Sequence, residues 1–165
     1  MDDTIIEKVK EYRYLCQIIS FTNKSEKELK IRRSNAWKAF WAQRHLLKGN
    51  LNIKTKMRVL ESTIIPILLY GAQTWALMAK QIKKLQVTQN GMLRSLLNIR
   101  LKDKVSLADI YNKTNAKKVR VTARVPKFKY AGHAVRDNKE KWNTLLTDWV
   151  PHWGKRKRGR PPLAG

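Results

Sequence analysis

The stretch "SEKELKIRRSNAWKAFWAQRHLLKG", residues 25–49, decides the fold. Ser25 followed by Glu28 has the form of a capping box, in which each side chain satisfies a free backbone N–H at a helix start. Behind it Leu29, Ala36, Phe40 and Leu47 recur at helical spacing, with Lys30, Arg33, Arg44 and Lys48 on the other face. Gly49 is a natural stop. The spacing predicts a long amphipathic helix. Its aromatic trio Trp37, Phe40 and Trp41 reads as core packing in preference to a platform for stacking bases.

Upstream, "TIIEKVKEYRYLCQIIS" (4–20) is rich in Ile, Val and Tyr and alternates around Lys8–Glu11, which predicts two short strands. Downstream, a second helix begins near Asn52 and runs through Met57, Leu60 and Ile64 to Pro66, which kinks or ends it. A third starts at about Gln81 and places Ile82, Leu85, Gln89, Met92, Leu93 and Leu96 on one side, slightly weakened by Gly91. Ser106 with Asp109 marks another capped start, for a short helix. Residues 115–135 read as helical but interrupted at Pro126, and a last helix over 139–149 puts Trp142, Leu145, Leu146 and Trp149 on one face. The expected class is mainly α: a helical bundle with a short N-terminal β-hairpin and a disordered basic tail. The expected divisions are a β element over 1–21, a helical region over 22–105, a helical C-terminal extension over 106–150 and a flexible tail over 151–165.

Charge points to the partner. The chain carries 36 Lys and Arg against 12 Asp and Glu, a net charge of +24. Residues 1–30 are balanced, so the whole excess lies after them. A compact chain this positive repels itself, and a polyanion is the natural counterpart: RNA or DNA first, an anionic membrane surface second. The most apolar segment, "TIIPILLYGA" (63–72), is too short for a bilayer, which takes about 20 residues. With a single cysteine, Cys16, and no signal sequence, the expectation is a soluble intracellular protein, in the nucleus if "KRKR" (155–158) serves as an import signal.

No catalytic centre is legible. Asp2-Asp3 is the only adjacent acidic pair, His45, His133 and His152 are far apart, Cys16 has no zinc-like spacing, and no phosphate loop or nucleophile motif occurs. We therefore expect no metal and no cofactor. The candidates for phosphate contact are Lys54, Lys56 and Arg58 in "IKTKMR", Arg94 and Arg100 around "MLRSLLNIRLK", and Lys155, Arg156, Lys157, Arg158 and Arg160 in the tail. Within the tail, Arg158-Gly159-Arg160-Pro161 also suits a narrow A·T minor groove, where Gly lets the backbone approach and Arg reaches in.

Several stretches together resemble the region after the polymerase palm in non-LTR (LINE-type, RTE-like) retrotransposon reverse transcriptases. "YRYLCQIIS" (12–20) is similar to their Y-L-G segment and "KELKIRRSNAWKAF" (27–40) to the helix that follows. "IIPILLYGAQTWAL" (64–77) resembles P-x-x-x-Y-G-x-E-x-W-x-L, and "TQNGMLRSLLNIRLKDKV" (88–105) resembles Q-x-x-M-L-R with a later Asp, here Asp103. "KFKYAGHAVR" (127–136) resembles K-x-x-x-x-G-H-x-x-R, and "GKRKRGRPP" (154–162) their basic G-R-P close. Order and spacing agree across nearly the whole chain. The resemblance implies a thumb that holds a template–primer duplex of RNA, DNA or their hybrid, a basic extension, and a palm as partner if one is supplied in trans. It implies no catalysis in this chain alone, because the Y-x-D-D and endonuclease motifs are absent from it. Cys16 in place of the family's Gly, Gln73 in place of an acid, Pro126, and the end at "PLAG" are departures expected of a truncated or decayed copy. The alternatives are a host-retained binder of A·T-rich DNA and a relic without function.

Overall fold

A computed structural model describes residues 9–20, 24–72 and 78–137, together with Trp142 and Leu145. It is mainly α with one two-stranded antiparallel hairpin, β1 (Glu11–Tyr14) and β2 (Gln17–Ser20). The hairpin pairs Tyr14 with Gln17. Its two-residue loop, Leu15-Cys16, therefore has to take positive φ at both positions, 46° and 60°, the turn whose twist suits a tight hairpin.

The helix decided by residues 25–49 forms as α1 (Lys24–Ala42) and a single turn, α2 (Arg44–Leu47), with a break at Gln43 where φ is −99° and ψ 21°. Leu29, Ala36, Phe40 and Leu47 are all buried, as the spacing predicts. Gly49 ends the segment because a Cβ there would lie 2.3 Å from the His45 carbonyl oxygen. The expected capping box is not what Glu28 does. Its Oε2 accepts from the Ile18 N–H at 3.1 Å and its Oε1 accepts from Arg32 Nη2 at 2.5 Å, so the carboxylate is turned toward the hairpin. Arg32 also donates to the Cys16 carbonyl and lies over the Tyr70 ring at 4.7 Å.

Asn52 caps α3 (Ile53–Val59), its side chain accepting from the Lys54 N–H at 3.0 Å. Pro66 does not stop this helix. The turn before it widens to a π-helix over Leu60–Ile64, and α4 (Ile65–Leu68) carries on with the proline in its first turn. Proline has no N–H to give, and a wider turn relieves its ring of the carbonyl it would meet in a regular helix.

The long helix α5 (Ala79–Leu96) packs on α1, α6 (Leu107–Thr114) and α7 (Val119–Thr122). Leu85, Met92, Leu93 and Leu96 join Phe40, Leu60, Ile64, Ile110 and Val119 in one apolar core. Gly91 permits the approach of α1, since a Cβ there would sit 3.3 Å from the Trp37 ring. Ser106 caps α6 as expected, accepting from the Asp109 N–H at 3.1 Å. The last described helix, α8 (Arg124–Arg136), runs through Pro126, where an interruption is expected. The proline falls in its first turn, where a missing N–H costs nothing, and the break lies at Ala123. The expected strand residues 4–8, the basic tail and most of the 139–149 helix lie outside the described residues.

Candidate nucleic-acid interface

Three cavities that share lining residues follow one another along α5 as a channel. The first, about 820 Å³, lies at the C-terminal end of α5 and is lined by Lys48, Arg94 and Arg100 beside Asn90, Ser95, Asn98 and Leu107. The second, also about 820 Å³, shares Asn90 and Leu107 with it and adds Lys83, Lys118, Arg120 and Arg124. The third, about 520 Å³, shares Ile82, Arg120 and Arg124 with the second and adds Lys127. Among the described residues eight cations line the channel, and none of the lining residues is an Asp or Glu.

The helix ends hold these cations in place. α5 terminates in a left-handed Asn98 (φ 56°), with Asn98 N–H bonded to the Ser95 carbonyl at 3.1 Å and Ile99 N–H to the Arg94 carbonyl at 2.9 Å. The chain then turns through Leu101–Asp103, where Asp103 Oδ2 accepts from the Arg100 N–H at 2.7 Å. Arg94 is pinned by a bond from Nη2 to the Val105 carbonyl at 3.1 Å. On the other flank, buried Gln89 fixes the entry to α7. Its Nε2 donates to the Lys117 carbonyl at 2.7 Å and its Oε1 accepts from the Val119 N–H at 2.8 Å. Lys118 and Arg120 are thereby set at the channel edge.

The channel floor carries a small polar cluster. Gln86 Nε2 donates to the Tyr111 hydroxyl oxygen at 2.5 Å, and that hydroxyl donates to Asn90 Oδ1 at 2.8 Å. Burial pushes the Tyr111 phenol above its ordinary pKa, while the bond from Gln86 pulls the other way. Lys118 lies 5.9 Å from the centre of the Tyr111 ring.

The sequence candidates fall in three places. Arg94 and Arg100, six residues apart, come together in the first cavity. Lys54 and Arg58 share a separate hollow of about 560 Å³, with Glu61 beside them. Lys56, between them in sequence, is only 8% exposed, because it lies on the core side of α3 next to Met57. It is the least exposed of the described candidates. Lys155, Arg156, Lys157, Arg158 and Arg160 lie outside the described residues. The sequence alone singles out none of Lys83, Lys118, Arg120, Arg124 and Lys127, although Lys83 lies on the polar face of α5 at helical spacing from Asn90 and Arg94.

One aromatic reading needs correction. Phe40 is fully buried, but Trp41 is 47% exposed and stacks on half-buried Trp37 with ring centres 6.2 Å apart. Lys48 Nζ lies 5.5 Å from the centre of the Trp41 ring, which places that indole beside the first cavity. Among the described residues no three His, Cys, Asp or Glu side chains gather as metal ligands, and no helix is long and apolar enough to cross a membrane.

The chain is similar to a Caenorhabditis elegans protein described as transposon-derived, F52C9.6, with 27% identity over 164 residues. The alignment covers 97% of this chain and 59% of that relative's length. No family model and no solved structure matches the chain.

Proposed function

We propose that the chain is a thumb-like, nucleic-acid-binding segment of a non-LTR retrotransposon reverse transcriptase. It holds a duplex by its phosphates along α5 and has no catalytic centre of its own. The observation that carries this reading is the channel of eight cations without a lining carboxylate. Similarity to a transposon-derived protein supports the origin. At about 1.5 Å per residue α5 is about 27 Å long, the rise of about eight base pairs. Binding of this kind is set by charge and carries little sequence information. The Lys155–Arg160 run adds further phosphate contacts, and RNA-directed DNA synthesis would belong to a longer parent with its palm.

Fluorescence anisotropy tests the reading with an RNA–DNA hybrid, A·T-rich DNA and G·C-rich DNA across a salt series. The expected result is a steep salt dependence with little sequence preference, largely surviving truncation after Trp153. Lys83→Gln/Arg120→Gln/Arg124→Gln should lower the slope of log affinity on log salt by roughly 2–3, since each neutralised phosphate accounts for about 0.9 of that slope. An A·T preference that disappears with the tail would overturn this in favour of a minor-groove reader built on Arg158-Gly159-Arg160-Pro161.

A further inference from the structure

We infer that the cavity at the C-terminal end of α5 is a seat for one phosphate group, distinct in kind from the diffuse charge of the rest of the channel. The inference deepens the proposed function, and it rests on that reading only for where the phosphate comes from. Three cations, Lys48, Arg94 and Arg100, converge there from three different segments of the fold. Arg94 is half-buried and held in one orientation by the Val105 carbonyl, while its Nη1 is buried and makes no hydrogen bond among the described residues. A guanidinium in that position ordinarily has a carboxylate partner, yet the ion pairs among the described residues are Lys27–Glu11, Arg32–Glu28 and Lys84–Glu26. The acids nearest in sequence are committed elsewhere: Asp103 to the Arg100 N–H, and Asp109 to the Ser106 hydroxyl at 2.7 Å.

The simpler account of these cations is that they offset the negative end of the α5 dipole. Magnitudes decide against it as the whole explanation. A helix terminus carries about half an elementary charge, and three full positive charges exceed that several-fold. The last carbonyls of α5 are also already bonded, Arg94 to Ile99, Ser95 to Asn98 and Leu93 to Leu97. What remains is a concave site with a large positive surplus, a fixed guanidinium and the amides of Asn90 and Asn98 as further donors. A phosphate offers several acceptor oxygens to such a set, and charge-assisted bonds to them are the strong kind.

The test is a titration of the full chain with inorganic phosphate at constant ionic strength, read by calorimetry. Lys48→Gln/Arg100→Gln is compared with Lys30→Gln/Lys38→Gln, which removes equal charge from exposed positions on α1. Arg94 is left intact so that packing is undisturbed. The expected result is one-to-one binding by the wild type and the α1 variant, weakened at least about tenfold in the cavity variant, since a bond to a charged group is worth about that factor. Equal binding by both variants would overturn the seat and leave only diffuse charge. Strands with and without a 5′-phosphate then identify the source. A several-fold preference for the phosphorylated strand, absent in the cavity variant, assigns the seat to a strand end. Equal binding with a salt slope lower by about 0.9 assigns it to an internal phosphodiester. Failure of the channel reading would appear in the Lys83, Arg120 and Arg124 variant and would leave the phosphate titration unchanged.

Discussion

Cys16 has a left-handed backbone at φ 60°, directly after Leu15 at 46°. An L side chain in that conformation costs about 1–2 kcal/mol that glycine does not. The family resembled by this chain places a glycine there, and the hairpin geometry supplies the reason. Cys16→Gly should raise stability by about 1 kcal/mol in urea denaturation, whereas a decrease would mean that the thiol has a packing role. Glu28 and Arg32 are the opposite case, a pair 3% and 5% exposed that ties α1 to the hairpin. Removing one partner strands a buried charge, so Arg32→Met should cost about 3–5 kcal/mol, and Glu28→Met added to it should restore part of that stability. If the double variant were as unstable as the sum of the single ones, the pair would not be coupled. Glu28 also illustrates a limit of sequence reading. A serine with a glutamate three residues on predicts a local cap, but a strand N–H ten residues upstream, that of Ile18, is the partner it finds.

At the scale of elements, α5 organises both the core and the channel, and its two faces were unequally legible. The buried face follows largely from period: Leu85, Gln89, Met92, Leu93 and Leu96 are all buried, while Ile82, expected with them, is half-buried and lines the second and third cavities. The channel face was not, because its cations come from α7, α8, the residue after α2 and the Arg100 turn as well, and periodicity within one helix cannot say which other segments meet it. Proline was misread for a related reason. Pro126 breaks a helix interior but suits a first turn, and only the position of the break at Ala123 tells which applies. Gln89 holds α5 to the start of α7 with two bonds, one buried and one partly buried. Gln89→Ala should leave the buried Val119 N–H without a partner, at about 1–3 kcal/mol, while the Lys117 carbonyl of an exposed residue can turn to water. Hydrogen exchange at the Val119 amide, at the start of α7, should then quicken before that of α5 does; uniform quickening would place the clamp elsewhere. Tyr111 in the same cluster gives a pH test. Its folded pKa is raised, so its contribution is complete below the ordinary tyrosine value of about 10 and is lost as pH rises through the higher folded value. Stability should therefore fall in that alkaline window, and less steeply in Tyr111→Phe when the two are compared by thermal melts.

Across the whole molecule, composition proposes a kind of partner and leaves its docking face open. A net charge of +24 points to a polyanion wherever the cations sit. Their collection along one channel is a tertiary fact, assembled from segments up to about 80 residues apart, Lys48 to Lys127. The same surplus acts on the fold itself. Against it stand only three ion pairs among the described residues, and two of them, Lys27–Glu11 and Lys84–Glu26, are at the surface, where such pairs contribute little. Repulsion among the surplus cations should thus outweigh attraction in the electrostatic balance of folding. Salt shortens the range of that repulsion from about 10 Å at 0.1 M to about 3 Å at 1 M. The melting temperature should accordingly rise by several degrees between about 0.05 and 0.5 M sodium chloride, about 1 kcal/mol being worth a few degrees in a chain of this size. Inorganic phosphate at matched ionic strength should raise it further through the cavity of Lys48, Arg94 and Arg100. A melting temperature that fell with salt would mean that attractive pairs dominate. In that case the surplus would not be a strain on the fold that a bound polyanion relieves.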